Sequence, residues 1–520
     1  MNVFRKTLNS YGFIFLTFFS FGGLCISLSI FLDPTIIWGY FIAWMGFACA
    51  FLISYIGHSS HNLRPEISGL PNLKPLPRQI NLIQQTTMIT INIIFSCVAL
   101  ITSAIIPNLS HNFALALAIL SSCLAIIVLS FQIISVIYDF FFARTITQFN
   151  SKIPQILENY RPEFAIFLNY AEHTSALTMW VKYFQMLNRP YLIMTSDFNN
   201  YDEISQKYGL PVILVNKETI QRLTPSSIKT LFYPIMRGAN DTPLRLLGTR
   251  QHVFIGHGES DKGASAHKLY RSYDKFCVPG QAGVDRFKLQ KIATRPNFFE
   301  LIGRPQLENL LTQEETPRHN QSFTILYAPT WFGAQADDRH SSLNRGFKIV
   351  KRLLKKNYRI IFKPHPLSLV PNPLLTKHDD RKTVAKIDRL IAQARRDSKI
   401  FHLTSSQTSK MTIDKCFNLS HALISDISSV IVDYLITDKP IALNSNYQNP
   451  AALYQSKPLA KSLYVINPDL SNLDLMLEEL ELDTRQFERQ NAKVYYLGAS
   501  KPAAQVQYFL NKIESILAKE

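Results

Sequence analysis

The sequence predicts four membrane-spanning helices followed by two doubly wound α/β domains, and three observations lead to this fold class. Residues 1–150 hold only six of the 55 Lys and Arg side chains and three of the 38 Asp and Glu side chains. From about residue 163 onward, short β-type runs alternate with amphipathic helical stretches. The charged segment "TQEETPRHNQ" interrupts that alternation once. We therefore expect a membrane region at 1–150 and α/β domains at 151–315 and 316–520, the last with a helical tail.

Four apolar stretches in the first region are long enough to cross a bilayer, which takes roughly 20 residues of helix. They lie near residues 11–32, 35–57, 86–106 and 112–138. The basic residues around them fall on one side only, at Arg5, Lys6, Arg64, Lys74, Arg78, Arg144 and Lys152. By the positive-inside rule, both termini and the charged half of the chain are cytoplasmic. The alternative, buried helices of a soluble protein, is less favoured because each stretch far exceeds an average helix of about 11 to 12 residues.

The composition narrows the class of protein further. The predicted spans contain no Lys, Arg, Glu or His, whereas transporters carry functional ionisable groups at membrane depth, so anchoring is favoured over transport. The remaining residues carry a net charge of about +14, which suits anionic partners. The six cysteines form no close pair, so neither a zinc site nor a disulfide framework of the usual spacing is expected.

The α/β part contains strand-like runs that end in polar loops. In the first domain they are "EFAIFLNY", "PYLIMTSD", "PVILVNK", "HVFIGHG", "KFCVPG" and "FFELIG", and in the second "FTILYAP", "YRIIFKPHP", "SKIFHLT" and "HALISDISSVIVDYLITDKPIAL". Strands separated by helical segments predict parallel sheets with helices on both faces. Ligands of such sheets bind at the carboxyl edge of the strands, so functional residues are expected in the loops directly after them.

The segment "ISDISSVIVDYLITDKP" predicts an anion site where a strand passes into a helix. Ser425 and Asp426 follow the strand, and Ser428 and Ser429 stand where the apolar helix begins. Helix N-termini expose unpaired amides and a partial positive charge, and serine hydroxyls add donors that can hold a pyrophosphate. The alternative is structural, because Asp and Ser routinely cap helices.

Two histidine loops are the candidates for catalysis. In "FIGHGESDKGAS", His257 and Lys262 lie in a glycine-punctuated loop after an apolar strand. The ordinary pKa of a histidine, roughly 6.5, suits the removal of a proton from an alcohol near neutral pH. In "IIFKPHPLS", Lys363 and His365 lie in a turn stiffened by prolines, where both can face phosphate. A structural role remains the alternative for each loop when its motif is considered alone.

Weaker signals come from two further strand ends. Thr330 follows "ILYAP" and Arg304 follows "LIG", and both are expected to contact the phosphates or the nucleotide of a donor. The structural alternatives are that Trp331 only packs against its neighbours and that Arg304 is only a solvated residue at the hinge between the domains. No acidic pair stands among metal-type ligands, and neither a P-loop nor a dinucleotide glycine motif occurs, so no metal is predicted.

The ordered series "GHGESDK", "YAPTW", "FKPHP" and "SDISSVIVDYLITDKP" resembles the CDP-glycerol glycerophosphotransferase family of teichoic-acid primases and polymerases over residues 160–460. The resemblance implies a GT-B fold of two Rossmann-like domains, with the nucleotide held mainly by the second. It implies transfer of glycerol phosphate from CDP-glycerol, a substrate needing no further cofactor, to an acceptor hydroxyl, with release of CMP. His257 then matches the family's candidate base, His365 its second histidine, and Ser428 with Ser429 its phosphate-binding pair.

Glu259 and Ser260 depart from the family pattern, which usually continues with Thr-Pro before its basic residues. Lys262 is the basic residue that follows here, and we expect it to contact the acceptor or to stabilise charge. The expected protein is a multi-pass enzyme of the bacterial inner membrane with a cytoplasmic catalytic half. Its expected partners are a nucleotide-activated donor, a lipid-linked or polymeric glycan acceptor, and membrane lipids.

Two other classes remain as alternatives. One is another GT-B enzyme, a sugar transferase or a nucleotide-sugar epimerase, that shares the anion-binding turn. The other is a non-catalytic membrane protein that binds anionic lipid or polymer through its basic surface. Nucleic acid is not an expected partner, because no basic run with interleaved aromatic residues occurs.

Overall fold

The structure is a computed structural model that describes residues 66–70, 151–169, 174–236, 238–313, 322–333, 339–370, 379–397, 400–498 and 501–518. All four predicted membrane spans lie outside these residues. Within the described part of the chain, no helix is both long enough and apolar enough to cross a bilayer. The anchor and its topology therefore stay predictions.

The chain divides into two compact units. The smaller unit comprises Met1–Asn159 with Leu214–Thr219, and its described residues include the short strand β1 (Glu66–Ser68) and a helical segment at 151–159. The larger unit comprises Tyr160–Ile213 with Ile220–Glu520. Every candidate site residue named from the sequence belongs to the larger unit, which contains both α/β domains.

The first α/β domain is built on seven strands, all within the larger unit except the last residue of β4, Leu214. They are β2 (Phe164–Phe167), β3 (Tyr191–Thr195), β4 (Val212–Leu214), β5 (Thr230–Tyr233), β6 (Gln251–Phe254), β7 (Lys275–Val278) and β8 (Phe299–Leu301). Their order in the sheet is β4-β3-β2-β5-β6-β7-β8, and the pairs from β3 through β8 are parallel. The order reverses between β2 and β5, which is the doubly wound arrangement predicted from the sequence.

The second α/β domain has a five-stranded parallel sheet of β9 (Thr324–Ala328), β10 (Arg359–Phe362), β11 (Ala422–Ser425), β12 (Ile441–Asn444) and β13 (Tyr464–Ile466). The strand order is β10-β9-β11-β12-β13. Successive residues of a strand enter different apolar clusters on the two faces of the sheet, as Leu423 and Ile424 illustrate. Such strands are buried on both sides, so their sequences are almost continuously apolar. Two doubly wound domains in tandem form the GT-B-like α/β fold expected from the resemblance.

Helices connect these strands in both domains. The first domain contains α1 (Ser175–Gln185), α2 (Phe198–Lys207), α3 (Ile220–Leu223), α4 (Asp241–Leu246) and α5 (Gln281–Leu289). The second contains α6 (Leu343–Lys355), α7 (Asp380–Asp397), α8 (Ser405–Thr408), α9 (Ile413–Leu419), α10 (Ser429–Tyr434), α11 (Pro450–Ser456), α12 (Leu473–Leu482) and α13 (Gln486–Leu497). A further helix, α14 (Pro502–Leu517), follows α13 after Gly498. In α6, apolar side chains at helical spacing such as Ile349, Val350 and Leu353 are buried against the sheet.

Helix α14 follows the second domain in sequence but packs against the first. The Phe509 ring stacks on Trp180 of α1, with ring centroids 5.4 Å apart. Gln505 Oε1 accepts a hydrogen bond from the backbone N–H of Arg304 at 2.7 Å. The last helix of the tail expected within 316–520 therefore packs on α1 and on the turn at Pro305–Leu307 of the first domain.

One strand-like run of the sequence does not form a named strand. In "SKIFHLT", residues 400–404 contribute a single parallel β-bridge between Leu403 and Ile361. Only Phe401–Thr404 alternate between apolar and polar residues, and Phe401 is 48% exposed and lies beneath the guanidinium of Arg395. Among the strands of the two α/β domains, β5 and β13 were absent from the predicted series.

Candidate active site

A cavity of about 570 Å³ lies between the carboxyl edges of the two sheets. The loops after β6 and β8 line it from the first domain, and the loops after β9, β10 and β11 line it from the second. Eight residues proposed from the sequence line this cavity: His257, Lys262, Arg304, Thr330, Lys363, His365, Ser428 and Ser429. Ser425 and Asp426 are not among its lining residues. The fold thus brings the first-domain and second-domain motifs together around one space.

His257 lies in a loop whose backbone is held on both sides. Gly256 adopts a left-handed conformation with φ of +66°, which glycine tolerates without a steric penalty. Its carbonyl oxygen accepts a hydrogen bond from Nε1 of the buried Trp180 at 2.7 Å. His257 Nδ1 lies 3.1 Å from the carbonyl oxygen of Pro234, which follows β5. Because a carbonyl can only accept, Nδ1 donates, and in the neutral ring Nε2 then carries the lone pair.

The same loop reaches the second domain at Gly258. A Cβ atom at Gly258 would lie 3.6 Å from Cβ of Ser429 and 3.8 Å from its Oγ. These are ordinary van der Waals distances, so the loop after β6 and the first residue of α10 are in close proximity. A ligand held at the start of α10 is therefore adjacent to the loop that carries His257.

Arg286 of α5 interacts with two acidic residues of this loop, Glu259 and Asp261. Arg286 forms an ion pair with Glu259, and its Nη2 lies 3.2 Å from Asp261 Oδ1. Burial raises the pKa of Glu259, and the adjacent Arg286 guanidinium opposes that rise. Ser260 Oγ lies 3.0 Å from Ser265 Oγ, within hydrogen-bond distance. The two residues that depart from the family pattern thus form contacts within the first domain that hold the loop.

His365 follows β10 and has the opposite tautomer from His257. Its Nδ1 accepts a hydrogen bond from the backbone N–H of Leu367 at 3.1 Å, so Nε2 holds the proton of the neutral ring. Burial, reinforced by the positive charge of Lys262, lowers the pKa of His365 to about 4. At neutral pH the ring is therefore uncharged and presents an N–H donor. Since Lys262 belongs to the first domain, its influence on His365 spans the cavity.

Lys363 directs its ammonium group to two carbonyl oxygens. Nζ donates to the carbonyl of Thr408 at 2.7 Å and to that of Met411 at 2.9 Å. Burial lowers the pKa of Lys363. Two of the three ammonium N–H groups are engaged in this way, so Lys363 holds the segment after α8 while it also lines the cavity.

Ser425 and Asp426 support the site from beneath. Ser425 Oγ donates to the carbonyl of Ala328 at 2.6 Å. Asp426 Oδ2 accepts from the backbone N–H groups of Thr330 at 2.8 Å and Ser342 at 3.1 Å. Both side chains are fully buried, and burial raises the pKa of Asp426 to about 6. Instead of the predicted contact with donor phosphate, these two side chains connect the loop after β11 to the loop after β9.

Ser428 is the residue immediately before α10, and its hydroxyl makes no capping hydrogen bond. The residue is 8% exposed, and its Oγ has no hydrogen-bond partner within the described part of the chain. A buried polar group without a partner costs about 1–3 kcal/mol, so such a group usually has a ligand or water. Ser428 lines the cavity, and its unsatisfied hydroxyl favours the anion-site interpretation over the capping alternative.

Arg304 joins the two domains at the edge of the cavity. Its Nε and Nη2 donate to the two carboxylate oxygens of Asp433 on α10, at 3.0 Å and 3.2 Å. Arg304 is buried, and both residues line the cavity. The guanidinium predicted to bind the donor is therefore engaged in an ion pair between the domains. Asp433 was not predicted as a site residue, although an acid four residues after Ser429 on an apolar helix is a signal that it faces the same cavity.

The sequence of the cavity region matches a known family. Residues 242–459 match the model of the family CDP-Glycerol:Poly(glycerophosphate) glycerophosphotransferase. The matched range contains the cavity loops from His257 to Ser429 and both domains' candidate residues. This match confirms, over residues 242–459, the resemblance that the sequence motifs indicated. A comparison with curated protein sequences found no match.

Several solved structures are similar in backbone. The wall teichoic acid polymerase TagF is 15% identical, with 72% of this chain and 95% of that chain covered and a TM-score of 0.43. A putative UDP-N-acetylglucosamine 2-epimerase from Listeria monocytogenes is 8% identical, with coverage of 69% and 98% and a TM-score of 0.45. MurG from Acinetobacter baumannii is 11% identical, with coverage of 68% and 99% and a TM-score of 0.43. Similarity at this level carries no functional inference.

Proposed function

We propose that this CDP-glycerol glycerophosphotransferase-like enzyme transfers glycerol phosphate from CDP-glycerol to a hydroxyl group of a membrane-associated or polymeric glycan, releasing CMP. The observation that carries the proposal is the pair of histidines in one cavity. His257 has its lone pair on Nε2, because Nδ1 donates to Pro234, whereas His365 has its proton on Nε2, because Nδ1 accepts from Leu367. One ring can thus remove a proton while the other donates a hydrogen bond.

In the proposed reaction, His257 is the general base. Nε2 accepts the proton of the acceptor hydroxyl, and the resulting oxygen nucleophile attacks the phosphorus that bears glycerol. A new phosphodiester bond forms, and the bond from that phosphorus to the bridging oxygen breaks. The bridging oxygen keeps the electron pair and departs with CMP. The hydrogen bond from His257 Nδ1 to Pro234 supports this role, because it fixes both the tautomer and the ring orientation.

Phosphoryl transfer requires little covalent participation from the protein and much charge stabilisation. His365 is the proposed Nε2–H donor to a phosphate oxygen, and Ser428 adds a hydroxyl that has no other partner in the described residues. Lys262 and Lys363 supply positive charge from opposite domains. CDP-glycerol enters as a substrate, and the proposed step uses no further cofactor.

The acceptor is proposed as a lipid-linked or polymeric glycan at the cytoplasmic face of a bacterial inner membrane. The four apolar stretches of residues 1–150 support an anchor there, and the net positive charge of the remaining chain suits phosphate-rich partners and anionic lipid. Nucleotide-activated donors are made in the cytoplasm, which is the side assigned to the catalytic half. The family description, which names poly(glycerophosphate), supports a polymeric acceptor.

The test is nucleotide release by the full-length protein in detergent or liposomes. CDP-glycerol, CDP-ribitol and UDP-N-acetylglucosamine are each supplied with a lipid-linked glycerol phosphate oligomer as the acceptor probe. The expected result is release of CMP from CDP-glycerol together with a mass increase of the oligomer by one glycerol phosphate. Release of UDP, or no CMP release above a protein-free control, would overturn the proposal. Preference for CDP-ribitol would retain the reaction and change the alditol.

A further inference from the structure

Within the described part of the chain, Asp261 makes several contacts between the loop after β6 and the second domain. Its Oδ2 accepts from the hydroxyl of Tyr496 at 2.8 Å and from the backbone N–H of Leu459 at 3.3 Å. Its backbone carbonyl accepts from Lys457 Nζ at 2.6 Å. Its Oδ1 faces Arg286 of the first domain. Three of these four contacts therefore come from the second domain.

The position of Asp261 in the loop gives these contacts a consequence for the cavity. Lys262, the next residue, lines the cavity, and His257 lies four residues earlier. Gly258 lies against Ser429 of α10, so only two residues separate one point of contact with the second domain from the other. A segment this short cannot shift at Asp261 without moving the backbone of its neighbours.

Asp261 itself lies on the opposite side of the loop from the reacting groups. It is not among the residues that line the 570 Å³ cavity, and it lines a separate cavity of about 470 Å³ with Tyr495 and Tyr496. Any effect of Asp261 on the reaction must therefore pass through the loop. Misplacement of a reacting group by about 1 Å can cost on the order of a hundredfold in rate.

We infer that Asp261 is a positioning residue, which couples contact between the two domains to the placement of His257 and Lys262. The inference rests on the proposed function, because it assigns Asp261 a role in that reaction. When Tyr496 and Lys457 of the second domain hold Asp261, the loop presents its base and its ammonium group to a donor held at Ser428 and Ser429. When these contacts are absent, donor binding by the second domain persists but the loop is no longer aligned.

Helix α13 offers a matched pair of variants for the test. Tyr496 donates to Asp261 at 2.8 Å, and the adjacent Tyr495 donates to Asp285 of α5, also at 2.8 Å. Each hydroxyl thus joins the second domain to a first-domain carboxylate, but only Asp261 belongs to the loop that carries His257. Tyr496→Phe and Tyr495→Phe each remove one oxygen atom and one such hydrogen bond.

The first measurement is steady-state CMP release from CDP-glycerol by the full-length variants. Tyr496→Phe is expected to lower kcat about tenfold, since a hydrogen bond to a charged group is lost, with KM for CDP-glycerol changed less than about twofold. Tyr495→Phe is expected to keep both constants within about twofold. Equal losses in the two variants, or a rise in KM with unchanged kcat for Tyr496→Phe, would overturn the inference, because either result indicates general domain docking.

A second variant tests the coupling without relying on a single hydrogen bond. Asp261→Asn keeps an acceptor oxygen but loses the charge that faces Arg286, and a kcat loss at least as large as that of Tyr496→Phe is expected. Because the two residues act through one contact, the double variant should lose little more than Asp261→Asn alone. If the loss of kcat in the double variant equalled the product of the losses in the two single variants, the inference would be contradicted.

Hydrogen exchange of the free protein provides a readout that needs no substrate. Tyr496→Phe should increase amide exchange within residues 256–263, whereas Tyr495→Phe should leave that segment unchanged. Unchanged exchange in both variants would overturn the inference. A wild-type protein that releases no CMP would instead refute the proposed function, so the two failures are distinguishable.

Discussion

The loops that carry His257 and His365 are both held in place at the cavity, but by different kinds of interaction. The loop after β6, with His257, is held by charged side chains, since Arg286 pairs with Glu259 and lies beside Asp261. In the second domain, the ammonium group of Lys363 donates to the carbonyls of Thr408 and Met411, and the loops around His365 are otherwise held by neutral backbone N–H groups. They donate to the side-chain acceptors of Asp426 and of His365 itself.

This difference shows how one residue type can be given two functions. A backbone carbonyl opposite Nδ1 makes Nε2 of His257 a base, whereas a backbone N–H opposite Nδ1 makes Nε2 of His365 a donor. The chemical role of each ring is therefore set by the neighbouring main chain. Four predictions test this contrast.

The largest effect is expected for loss of the base. His257→Ala should lower kcat by at least about a hundredfold, because general base catalysis typically contributes 10²- to 10⁴-fold. His257→Gln should be equally inactive, since an amide cannot take up the proton. CMP release is the measurement, with binding of CDP-glycerol by calorimetry to establish that the variants retain the donor site. His267→Ala, an exposed histidine outside the cavity, is the control. Activity within tenfold of wild type in either His257 variant would remove His257 from the role.

The second prediction is that glutamine, which cannot replace His257, partly replaces His365. His365→Ala removes an N–H donor and should lower kcat roughly a hundredfold, near the lower end of the effect of one such donor. His365→Gln restores an N–H at the position of Nε2 and should recover about tenfold of that loss. The comparison of Gln rescue at the two sites is the measurement. Rescue at His257 with none at His365 would show that the tautomers have been assigned the wrong way round.

The third prediction compares the stabilities of two variants, each of which replaces a buried carboxylate with the uncharged amide of the same shape. Stability is measured by thermal unfolding at pH 7.5. Glu259→Gln leaves Arg286 with less compensating charge and should lose about 3 kcal/mol of stability. Asp426→Asn retains an acceptor for the N–H groups of Thr330 and Ser342. It also removes a buried carboxylate, whose pKa is raised to about 6 by burial, so no loss of stability is expected.

Asp426→Ala is the control for that comparison. It leaves two buried N–H groups without their acceptor and should lose about 1–3 kcal/mol. Equal destabilisation by Asp426→Asn and Asp426→Ala would indicate that the second-domain loops also depend on charge, and the contrast between the two domains would then fail.

The smallest effect concerns pH. Burial lowers the pKa of His365 from 6.5 to about 4, so between these values the unfolded chain binds a proton that the folded protein does not. The stabilising contribution is complete above pH 6.5 and is lost as the pH falls toward 4. From pH 7.5 to pH 5, wild type should lose about 2 kcal/mol more stability than His365→Gln. Parallel losses in the two proteins would mean that His365 is protonated in the folded state.

Much of the fold could be predicted because its signals are local. Apolar runs that end in glycine, proline or serine marked β6, β10 and β11, and the loops that follow them line one cavity. β5, Thr230–Tyr233, was not predicted, although it is as long as β6, β10 and β11 and is followed by a proline. "SKIFHLT" contains the apolar residues of a strand, but only Leu403 pairs with a neighbouring strand.

The candidate site was predicted less completely, because contacts across the cavity are not local. Arg304 lies 129 residues from its partner Asp433, and Asp261 lies 235 residues from Tyr496. No spacing rule links such pairs, so the ion pair of Arg304 with Asp433 was not predicted, and a contact of Arg304 with the donor stays a prediction. Ser425 and Asp426 were placed correctly along the chain, but the sequence does not show that their side chains are directed inward.

Helix α14 has a consequence for the order in which the protein is completed during synthesis. Phe509 packs on Trp180, whose Nε1 supports the carbonyl of Gly256 beside His257. A ribosome must therefore translate the whole second domain before the first acquires this covering helix. Until then the Trp180 face of the nascent first domain stays uncovered, so a chain interrupted between the two domains should depend on chaperones and be degraded rather than accumulate as a folded half.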